Sequence, residues 1–470
     1  MIPRNALHSV TPGLVVLAMA CTTRTPTPSS PVPVGSATVA AASSAATAPA
    51  AAASGIVASG QYRNRFVELG RPAAEVAAKI DAAYQQLFHG DPASEAVMYA
   101  AGKNERGPLA YVKDIGHDDV RSEGMSYGMM IAVELDRRQD FDALWNWAKT
   151  YMHRADPAHP AHRYFSWQLR PDGTAMDEMP APDGEEYFVT ALFFASHRWG
   201  DGAGIYQYGR EARELLDAMK NRGAVTGTVN RTRQTTGLSL FNPEHKMVRF
   251  TPDQGNFAQN GDHTDPSYHL PAFYELWALW GPEPDRAFWA DAARASRDFF
   301  VRAAHPKTGL CPDYANFDGT PKAASWDSHT ADFRWDAWRT AMNWAVDAVW
   351  WGKDPREIEL SDRLLAFFDG LGPTYPATFT LDGQPTSKDP SVGLVAMNAV
   401  AALAATNPSA PRFIERLYEA KPPVGQWRYY DGLLYLMAML HVSGSFRVYG
   451  PPFATTGAPS AAPAASAAPR

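Results

Sequence analysis

Twelve segments between positions 72 and 443 carry apolar side chains at helical spacing, and this pattern constrains the fold most strongly. In the first segment, for example, Val76, Ile80, Tyr84 and Leu87 recur every three or four residues. Only short extended pieces are predicted, at 96–100, 109–113 and 246–251. We therefore predict an all-α protein with helices at 72–88, 123–136, 139–152, 185–198, 207–221, 266–280, 284–304, 333–351, 355–369, 392–406, 410–419 and 428–443.

Every second predicted helix opens with side chains that can take part in chemistry, whereas the helices between them are more conventionally amphipathic. Six inner helices surrounded by six outer ones, an (α/α)6 barrel, would produce this alternation and gather the inner N-termini around one cleft. A helical bundle or a solenoid would also fit the pattern. The residues at these openings are Glu123, Asp183, Glu185, Asp265, Tyr268, Asp336, Tyr429, Tyr430 and Asp431.

The two ends of the 470-residue chain have a different composition from the middle. Residues 1–21 combine Arg4, a short apolar run and Cys21, which predicts a secretory signal with a lipoprotein-type cleavage site and lipidation of Cys21. Residues 22–58 and 451–470 are rich in Ala, Pro and Ser, so we expect a disordered tether and a disordered tail. The folded domain is predicted at 59–450, in an exported protein that is either anchored in the bacterial cell envelope or secreted.

Charge and cysteine content exclude some classes of function. The net charge is −7, with both signs mixed along the chain, which argues against a nucleic-acid partner. The two cysteines, Cys21 and Cys311, leave no disulfide if Cys21 is lipidated, and no Cys/His cluster has zinc spacing. The 14 Trp, 19 Tyr and 22 Phe suit a large core, and they would also suit a cleft with stacking platforms for sugar rings.

Glu123 is the first candidate for chemistry. It follows Ser122, a predicted N-cap, and opens a run of Met, Gly and Tyr residues in which a carboxylate is poorly hydrated. Desolvation disfavours the charged form, as in a glutamate that donates a proton near neutral pH. The simpler interpretation is a carboxylate that favours the helix dipole. Gly124 and Gly128 remove bulk beside it, as the close approach of a ligand or of neighbouring backbone would require.

Asp336 and Arg339 lie three residues apart in a Phe-Arg-Trp-Asp-Ala-Trp-Arg block and would share a helix face. An adjacent arginine favours an ionised carboxylate, which would suit a general base, although an ordinary ion pair is the alternative. One protonated glutamate and one ionised aspartate in one cleft is the pairing used for glycoside hydrolysis.

Two further blocks pair a helix cap with a functional candidate. Asp183 follows two prolines and could cap a helix with one oxygen while holding a sugar hydroxyl with the other. Asp265 precedes Pro266, which suits the first helical position, and would place Tyr268 near the helix mouth, unless Tyr268 is a core residue. The clusters at 117–119 and 262–265 resemble no known metal-binding loop, and we interpret them as solvated charge.

Together these blocks resemble glycoside hydrolase family 8 from about Tyr62 to about Phe446. The resemblance rests on the runs Ser122–Met130, Pro180–Phe188 and Asp265–Tyr268, and on Asp336 with Arg339. The run Ala191–Gly200 is most similar to the xylan-acting branch, which includes exo-enzymes that release xylose from reducing ends. The resemblance implies an (α/α)6 barrel and hydrolysis with inversion.

The resemblance also implies roles for individual residues. Glu123 is similar to the general acid, Asp336 to the general base and Asp183 to the residue that binds and distorts the sugar. Tyr268 corresponds to the tyrosine beside the attacking water, and Arg339 to the arginine beside the base. Two more substrate-binding residues are predicted, Trp167 as an aromatic subsite and Tyr430. No metal or cofactor is expected, and inversion would separate the carboxylates by roughly 6.5–9.5 Å.

The mode of cleavage is left open, because one loop departs from the exo-acting pattern. The exo branch closes its cleft with a Leu-His-Pro loop, whereas the corresponding segment 385–394 contains no histidine here. We expect hydrolysis of β-1,4-xylosidic bonds in xylo-oligosaccharides or xylan, in exo or endo mode, by a monomer that meets a membrane only through a lipid anchor. The alternatives are a family 8 hydrolase of β-1,4-glucan, mixed-linkage glucan or chitosan, and a non-catalytic surface protein that binds glycans.

Overall fold

The computed structural model describes residues 55–236, 239–252 and 260–451. Within these ranges, helices dominate and the strands are short, as the apolar spacing predicts. The helices are α1 Ile56–Ser59, α2 Arg65–Glu68, α3 Ala73–His89, α4 Ser122–Glu134, α5 Arg138–Trp147, α6 Pro182–Trp199, α7 Tyr208–Asn221, α8 Pro271–Trp280, α9 Arg286–Ala303, α10 Ala337–Trp350, α11 Arg356–Gly370, α12 Val392–Ala401, α13 Ala410–Glu419 and α14 Arg428–Val442.

The strands form small antiparallel sheets between the helices. Four are two-stranded (β1–β2, β6–β7, β8–β9 and β10–β11), and β3, β4 and β5 form a three-stranded one. The strands are β1 Met98–Asn104, β2 Gly107–Val112, β3 Val120–Arg121, β4 Gln168–Leu169, β5 Ala175–Asp177, β6 Val225–Val229, β7 Thr232–Thr236, β8 Phe241–Asn242, β9 Met247–Val248, β10 His263–Thr264 and β11 Ala315–Asn316.

Each of the twelve predicted helices is present, and two of them begin four or five residues later than predicted. The predicted helix 266–280 is divided into a 3-10 turn, Pro266–Tyr268, and α8. The break falls at Pro271, because a proline has no N–H to donate and keeps the preceding Leu270 out of the helical region. The predicted helix 333–351 begins only at Ala337, because Trp335 has φ +38° and interrupts the helical backbone.

Six of the long helices follow one another in a ring. Neighbouring pairs are α4–α6, α8–α10, α10–α12, α12–α14 and α14–α4. The remaining pair, α6 and α8, is joined by a hydrogen bond of 2.6 Å from the hydroxyl of Tyr274 to Glu186 Oε1. Helices α3, α5, α7, α9, α11 and α13 each pack against members of this ring. The residues of α4 and α6 are buried almost along their whole length, which places the ring in the core.

Several predictions for the chain ends fall outside the described residues. The signal segment, Cys21 and most of the tether precede position 55, and the tail follows position 451. Helix α1 lies across the predicted boundary between tether and domain, so helical backbone begins before position 59. Cys311 is a buried free thiol. In the part of the chain that the structure describes, no helix has both the length and the apolar character needed to cross a membrane.

Candidate active site

A cavity of about 870 Å³ lies where the N-terminal ends of α4, α6, α10 and α14 meet. Each of these helices contributes a candidate residue from its first turn or from the residue just before it. Four of the helices predicted to be inner therefore have their N-terminal ends at one cleft. The candidate residues that line the cavity are Glu123, Trp167, Asp183, Tyr268, Asp336 and Tyr430.

The guanidinium of Arg339 joins the three candidate carboxylates. Its Nη1 donates to Glu123 Oε2 at 2.8 Å and to Asp183 Oδ2 at 2.9 Å, and its Nη2 forms an ion pair with Asp336 Oδ1 at 3.0 Å. The side chain is only 1% exposed and also donates to Tyr127 and Ser267. A planar fork with fixed donor directions can hold several carboxylates in one geometry, which a lysine ammonium cannot do.

The arginine also limits the distance between Glu123 and Asp336. Because the guanidinium fork is only about 2.3 Å wide, the two contacted oxygens lie at most about 8 Å apart. This limit allows separations in the lower part of the range predicted for two carboxylates that leave room for a water molecule, and it excludes those at the upper end.

Glu123 lies in a poorly hydrated setting, as predicted. Burial raises its pKa to about 8, with Asp336 and Asp183 adding to the rise and Arg339 opposing it. The hydroxyl of Tyr429 donates to Glu123 Oε1 at 2.9 Å. Since burial also raises the pKa of Tyr429 well above its ordinary value, that hydroxyl keeps its proton and remains a donor. Glu123 is therefore protonated at neutral pH and held from two sides.

Gly124 makes room for Tyr429. A Cβ added at Gly124 would overlap the Tyr429 ring, so the residue that needs the space is an aromatic side chain, not a ligand or neighbouring backbone. The predicted N-cap role of Ser122 is wrong. Arg121 is the capping residue in extended backbone, and Ser122 is the first helical residue, with no capping bond from its hydroxyl.

Asp336 is the most exposed of the three carboxylates, at 34% of its side chain. It directly precedes α10, and Oδ1 receives a hydrogen bond from the hydroxyl of Tyr430 at 3.3 Å in addition to the Arg339 contact. The same hydroxyl donates to the carbonyl of Trp335 at 3.2 Å. Neighbouring tyrosines of α14 thus contact different members of the candidate pair, Tyr429 contacting Glu123 and Tyr430 contacting Asp336.

Asp183 lies in the first turn of α6, but it is not the capping residue. Ala181 occupies that position, and Asp183 Oδ1 accepts from the backbone N–H of Gly184 at 2.9 Å. The other oxygen, Oδ2, accepts from Arg339 Nη1 at 2.9 Å. Burial raises the pKa of Asp183 to about 6, and Arg339 is the main opposing influence.

The turn that carries Tyr268 is built as predicted. Asp265 caps it through a hydrogen bond of 2.7 Å from Ser267 N–H to Oδ1, and Pro266 follows. The Nδ2 of Asn343 in α10 donates to the Ser267 carbonyl at 2.7 Å and ties the turn to the helix that begins beside Asp336. Tyr268 is 5% exposed and stacks on Phe250, so it is both a packed side chain and part of the cleft wall.

Aromatic side chains form much of the remaining cleft wall. Trp167 lies beneath the guanidinium of Arg121 at 5.7 Å, in agreement with its predicted place in the cleft. Sequence reasoning did not identify Trp335 and Trp427, which are 53% and 65% exposed within the same cleft. Trp335 directly precedes Asp336, and that adjacency is a signal that could have marked it. Nothing comparable marks Trp427.

The chain is similar to known proteins over most of its length. The sequence profile described as "Glycosyl hydrolases family 8" matches residues 112–444. A reducing-end xylose-releasing exo-oligoxylanase of Paenibacillus barcinonensis is 41% identical over 397 residues, which span 84% of this chain and 98% of the relative.

Two solved structures from Teredinibacter turnerae are similar along their whole length. One is a GH8 xylobiose complex, at 56% identity, and the other a xylohexaose complex of a GH8 xylanase catalytic mutant, at 55% identity. Each has a TM-score of 0.82 and covers 84% of this chain and 100% of the solved chain. The match to the family profile and to these relatives shows that the chain belongs to glycosyl hydrolase family 8 and is a glycoside hydrolase.

Proposed function

We propose that this enzyme hydrolyses β-1,4-xylosidic bonds of xylo-oligosaccharides or xylan with inversion at the anomeric carbon. The observation that carries the proposal is the Arg339 contact set, which brings Glu123, Asp183 and Asp336 together in one cleft. The substrate class is supported by the relatives, which are an exo-oligoxylanase and a xylanase bound to xylohexaose.

Glu123 is the general acid in this proposal. With a pKa of about 8, it carries a proton at neutral pH and gives it to the glycosidic oxygen as the bond to the anomeric carbon breaks. Asp183, in the wall of the same cleft, binds and distorts the sugar at the cleavage point, and Trp167 provides an aromatic surface for a neighbouring sugar ring.

Asp336 is the general base. It accepts a proton from a water molecule whose oxygen forms the new bond to the anomeric carbon, with Tyr268 beside that water. One turnover therefore moves a negative charge from Asp336 to Glu123. Because Arg339 contacts both residues through different nitrogens, its positive charge stays paired before and after the transfer. This pairing limits the electrostatic cost of the step.

The direct test is the loss of cleavage in two isosteric variants. Glu123→Gln and Asp336→Asn should each lower kcat on xylohexaose by about 10²- to 10⁴-fold, the usual contribution of general acid or base catalysis. Glu283→Gln, at an exposed position away from the cleft, is the matched control and should behave as wild type. Unchanged hydrolysis by both catalytic variants would contradict the assignment.

Loop 385–394 supports internal cleavage as the mode, because it has no histidine to close the cleft. Thr386, Ser387 and Asp389 line the cleft, and Thr386 N–H donates to the Thr378 carbonyl at 2.9 Å, which ties the loop to the neighbouring segment of the wall. The named exo-oligoxylanase relative supports release of xylose from reducing ends instead. The proposal therefore includes both modes, and the products decide between them.

The product profile on xylohexaose distinguishes the two modes. Stepwise appearance of xylose and xylopentaose indicates exo action, and early xylobiose, xylotriose and xylotetraose indicate endo action. Activity on mixed-linkage glucan or chitosan without activity on xylan would select the alternative substrates. Calorimetric binding of xylohexaose with no cleavage would select a glycan-binding protein.

We also propose that the helices form an (α/α)6 barrel, with α4, α6, α8, α10, α12 and α14 inside. The ring of contacts among these six helices and the packing of the other long helices on them support this proposal. A crystal structure tests it, since a barrel requires the inner helices to close around one axis with their N-termini at one end.

We further propose export and lipid anchoring, on the basis of the signal-like residues 1–21 and the tether-like composition of residues 22–58. Expressed in a bacterium, the full chain should partition into detergent on phase separation, whereas Cys21→Ser should move it to the aqueous phase. Equal partitioning of both would contradict the anchor. Light scattering after removal of residues 1–54 would test the expected monomer.

A further inference from the structure

Two carboxyl groups outside the proposed catalytic set lie beside the base. Asp265, Asp313 and Asp336 each place one carboxyl oxygen within 4.8 Å of those of the other two. Asp265 caps the turn that carries Tyr268, and Asp313 lies just before β11. The side chains of Asp265 and Asp313 are buried, at 0% and 4% exposure.

Each of these two buried carboxyl groups has one bonded oxygen and one unbonded oxygen. Asp265 Oδ1 accepts from Ser267 N–H at 2.7 Å, and Asp313 Oδ2 accepts from Arg334 Nε at 2.9 Å. Asp265 Oδ2 and Asp313 Oδ1 are buried without any hydrogen-bond partner among the described residues. Buried polar atoms are nearly always satisfied, by protein or by ordered water, so these two oxygens point to a further partner.

The spacing of the three carboxyl groups allows one water molecule to contact all of them. Three points no more than 4.8 Å apart share a centre within about 2.8 Å of each, which is the usual O–H···O distance. Burial, together with the charge of Asp336, raises the pKa of both Asp265 and Asp313 well above the ordinary range. Burial thus favours the protonated forms, and a protonated carboxyl group can donate as well as accept.

We propose that Asp265 and Asp313 are positioning residues that hold the hydrolytic water on Asp336. The inference rests on the proposed function. The water donates one hydrogen to Asp336 and the other to one neutral carboxyl group, and it accepts from the second, which leaves one lone pair for the anomeric carbon. In the reaction the water O–H bond directed at Asp336 breaks and its proton passes to Asp336. The new C–O bond to the anomeric carbon forms as the glycosidic C–O bond breaks. The glycosidic oxygen takes the Glu123 proton, and Asp265 and Asp313 undergo no net change.

The test compares alanine and asparagine at both positions, with kcat and KM measured on xylohexaose. Asparagine keeps a donor and an acceptor, so Asp265→Asn and Asp313→Asn should retain kcat within about 5-fold. Asp265→Ala and Asp313→Ala should lose about 10²-fold or more in kcat with KM changed less than about 3-fold. Asp318→Asn, in an exposed turn, is the matched control.

The remaining outcomes distinguish a water-positioning role for Asp265 and Asp313 from a cation site, from a requirement for a charged carboxylate and from failure of the proposed function. Alanine variants with wild-type kcat would overturn it while leaving the proposed function intact, whereas an inactive wild type would overturn the proposed function. Asparagine variants that fold but lose as much kcat as alanine would also overturn it, since a charged carboxylate would then be required. Inactivation by EDTA with recovery in Ca²⁺ would overturn it in favour of a cation site. If alanine prevents folding, serine variants with the same predicted loss of kcat replace it.

Discussion

Tyr429→Phe should move the alkaline limit of activity upward without abolishing catalysis. Removing the hydroxyl takes away the 2.9 Å hydrogen bond to Glu123 Oε1, which stabilises the ionised form of that residue. Hydrogen bonds to charged groups contribute about 1.5–3 kcal/mol, and one pKa unit corresponds to about 1.4 kcal/mol. The pKa of Glu123, about 8 in the wild type, should therefore rise by about 1 to 2 units.

The assay is the pH dependence of kcat/KM on xylohexaose, because its alkaline limb reports the acid of the free enzyme. Activity requires protonated Glu123, so it falls as pH rises through the pKa of that residue. The midpoint of the alkaline limb should lie near pH 8 in the wild type and at about pH 9 to 10 in Tyr429→Phe. The phenylalanine ring keeps its packing against Gly124, so the fold should be unchanged.

Tyr430→Phe is the matched control, since it removes an adjacent hydroxyl whose hydrogen bonds go to Asp336 and to the Trp335 carbonyl. It should leave the alkaline limb in place. A Tyr429→Phe limb that stays near pH 8, or moves to lower pH, would refute the reasoning. An equal upward shift in both variants would also refute it, because it would show that the contact with Glu123 is not the cause.

Three further predictions concern the walls of the site. Gly124→Ala should lower the free energy of unfolding by about 1–3 kcal/mol, because the added Cβ overlaps the Tyr429 ring. Gly223→Ala is the control, since open space surrounds that position and no loss is expected. Thermal melting measures both variants, and equal melting temperatures would contradict the packing argument. Arg339→Lys should reduce kcat by about 10²-fold or more, because an ammonium cannot reproduce the fork; retention of wild-type kcat would contradict its bridging role. Trp427→Ala should raise the KM for xylohexaose by roughly 5-fold, which corresponds to about 1 kcal/mol, with little change in the KM for xylotriose. An unchanged KM for xylohexaose would show that no sugar unit stacks on the Trp427 ring.

The helices could be predicted because their signal is local. Apolar residues three and four apart mark a buried face wherever the helix packs, and all twelve segments were found this way. The β6–β7 hairpin was missed because its residues, as in Thr226-Gly227-Thr228, lack the apolar alternation of a half-buried strand. The late start of α10 follows from the positive φ of Trp335, which the residue type does not indicate.

The candidate carboxylates could be predicted as well, but not the contacts between them. Glu123 and Arg339 are 216 positions apart, and their hydrogen bond depends on how the helix ring closes. The same holds for Tyr429, whose bond to Glu123 spans 306 positions. Asp313 had no motif to mark it, and only its burial beside Asp336 makes it a candidate.

The stereochemistry of the first product tests the central claim most directly. Proton NMR of xylohexaose during the first minutes of hydrolysis distinguishes the two anomers before mutarotation mixes them. Direct attack by a water held on Asp336, with Glu123 as acid, predicts that the new reducing end appears first as the α anomer. Initial formation of the β anomer would contradict this mechanism, since it requires a covalent intermediate that the proposed roles do not include.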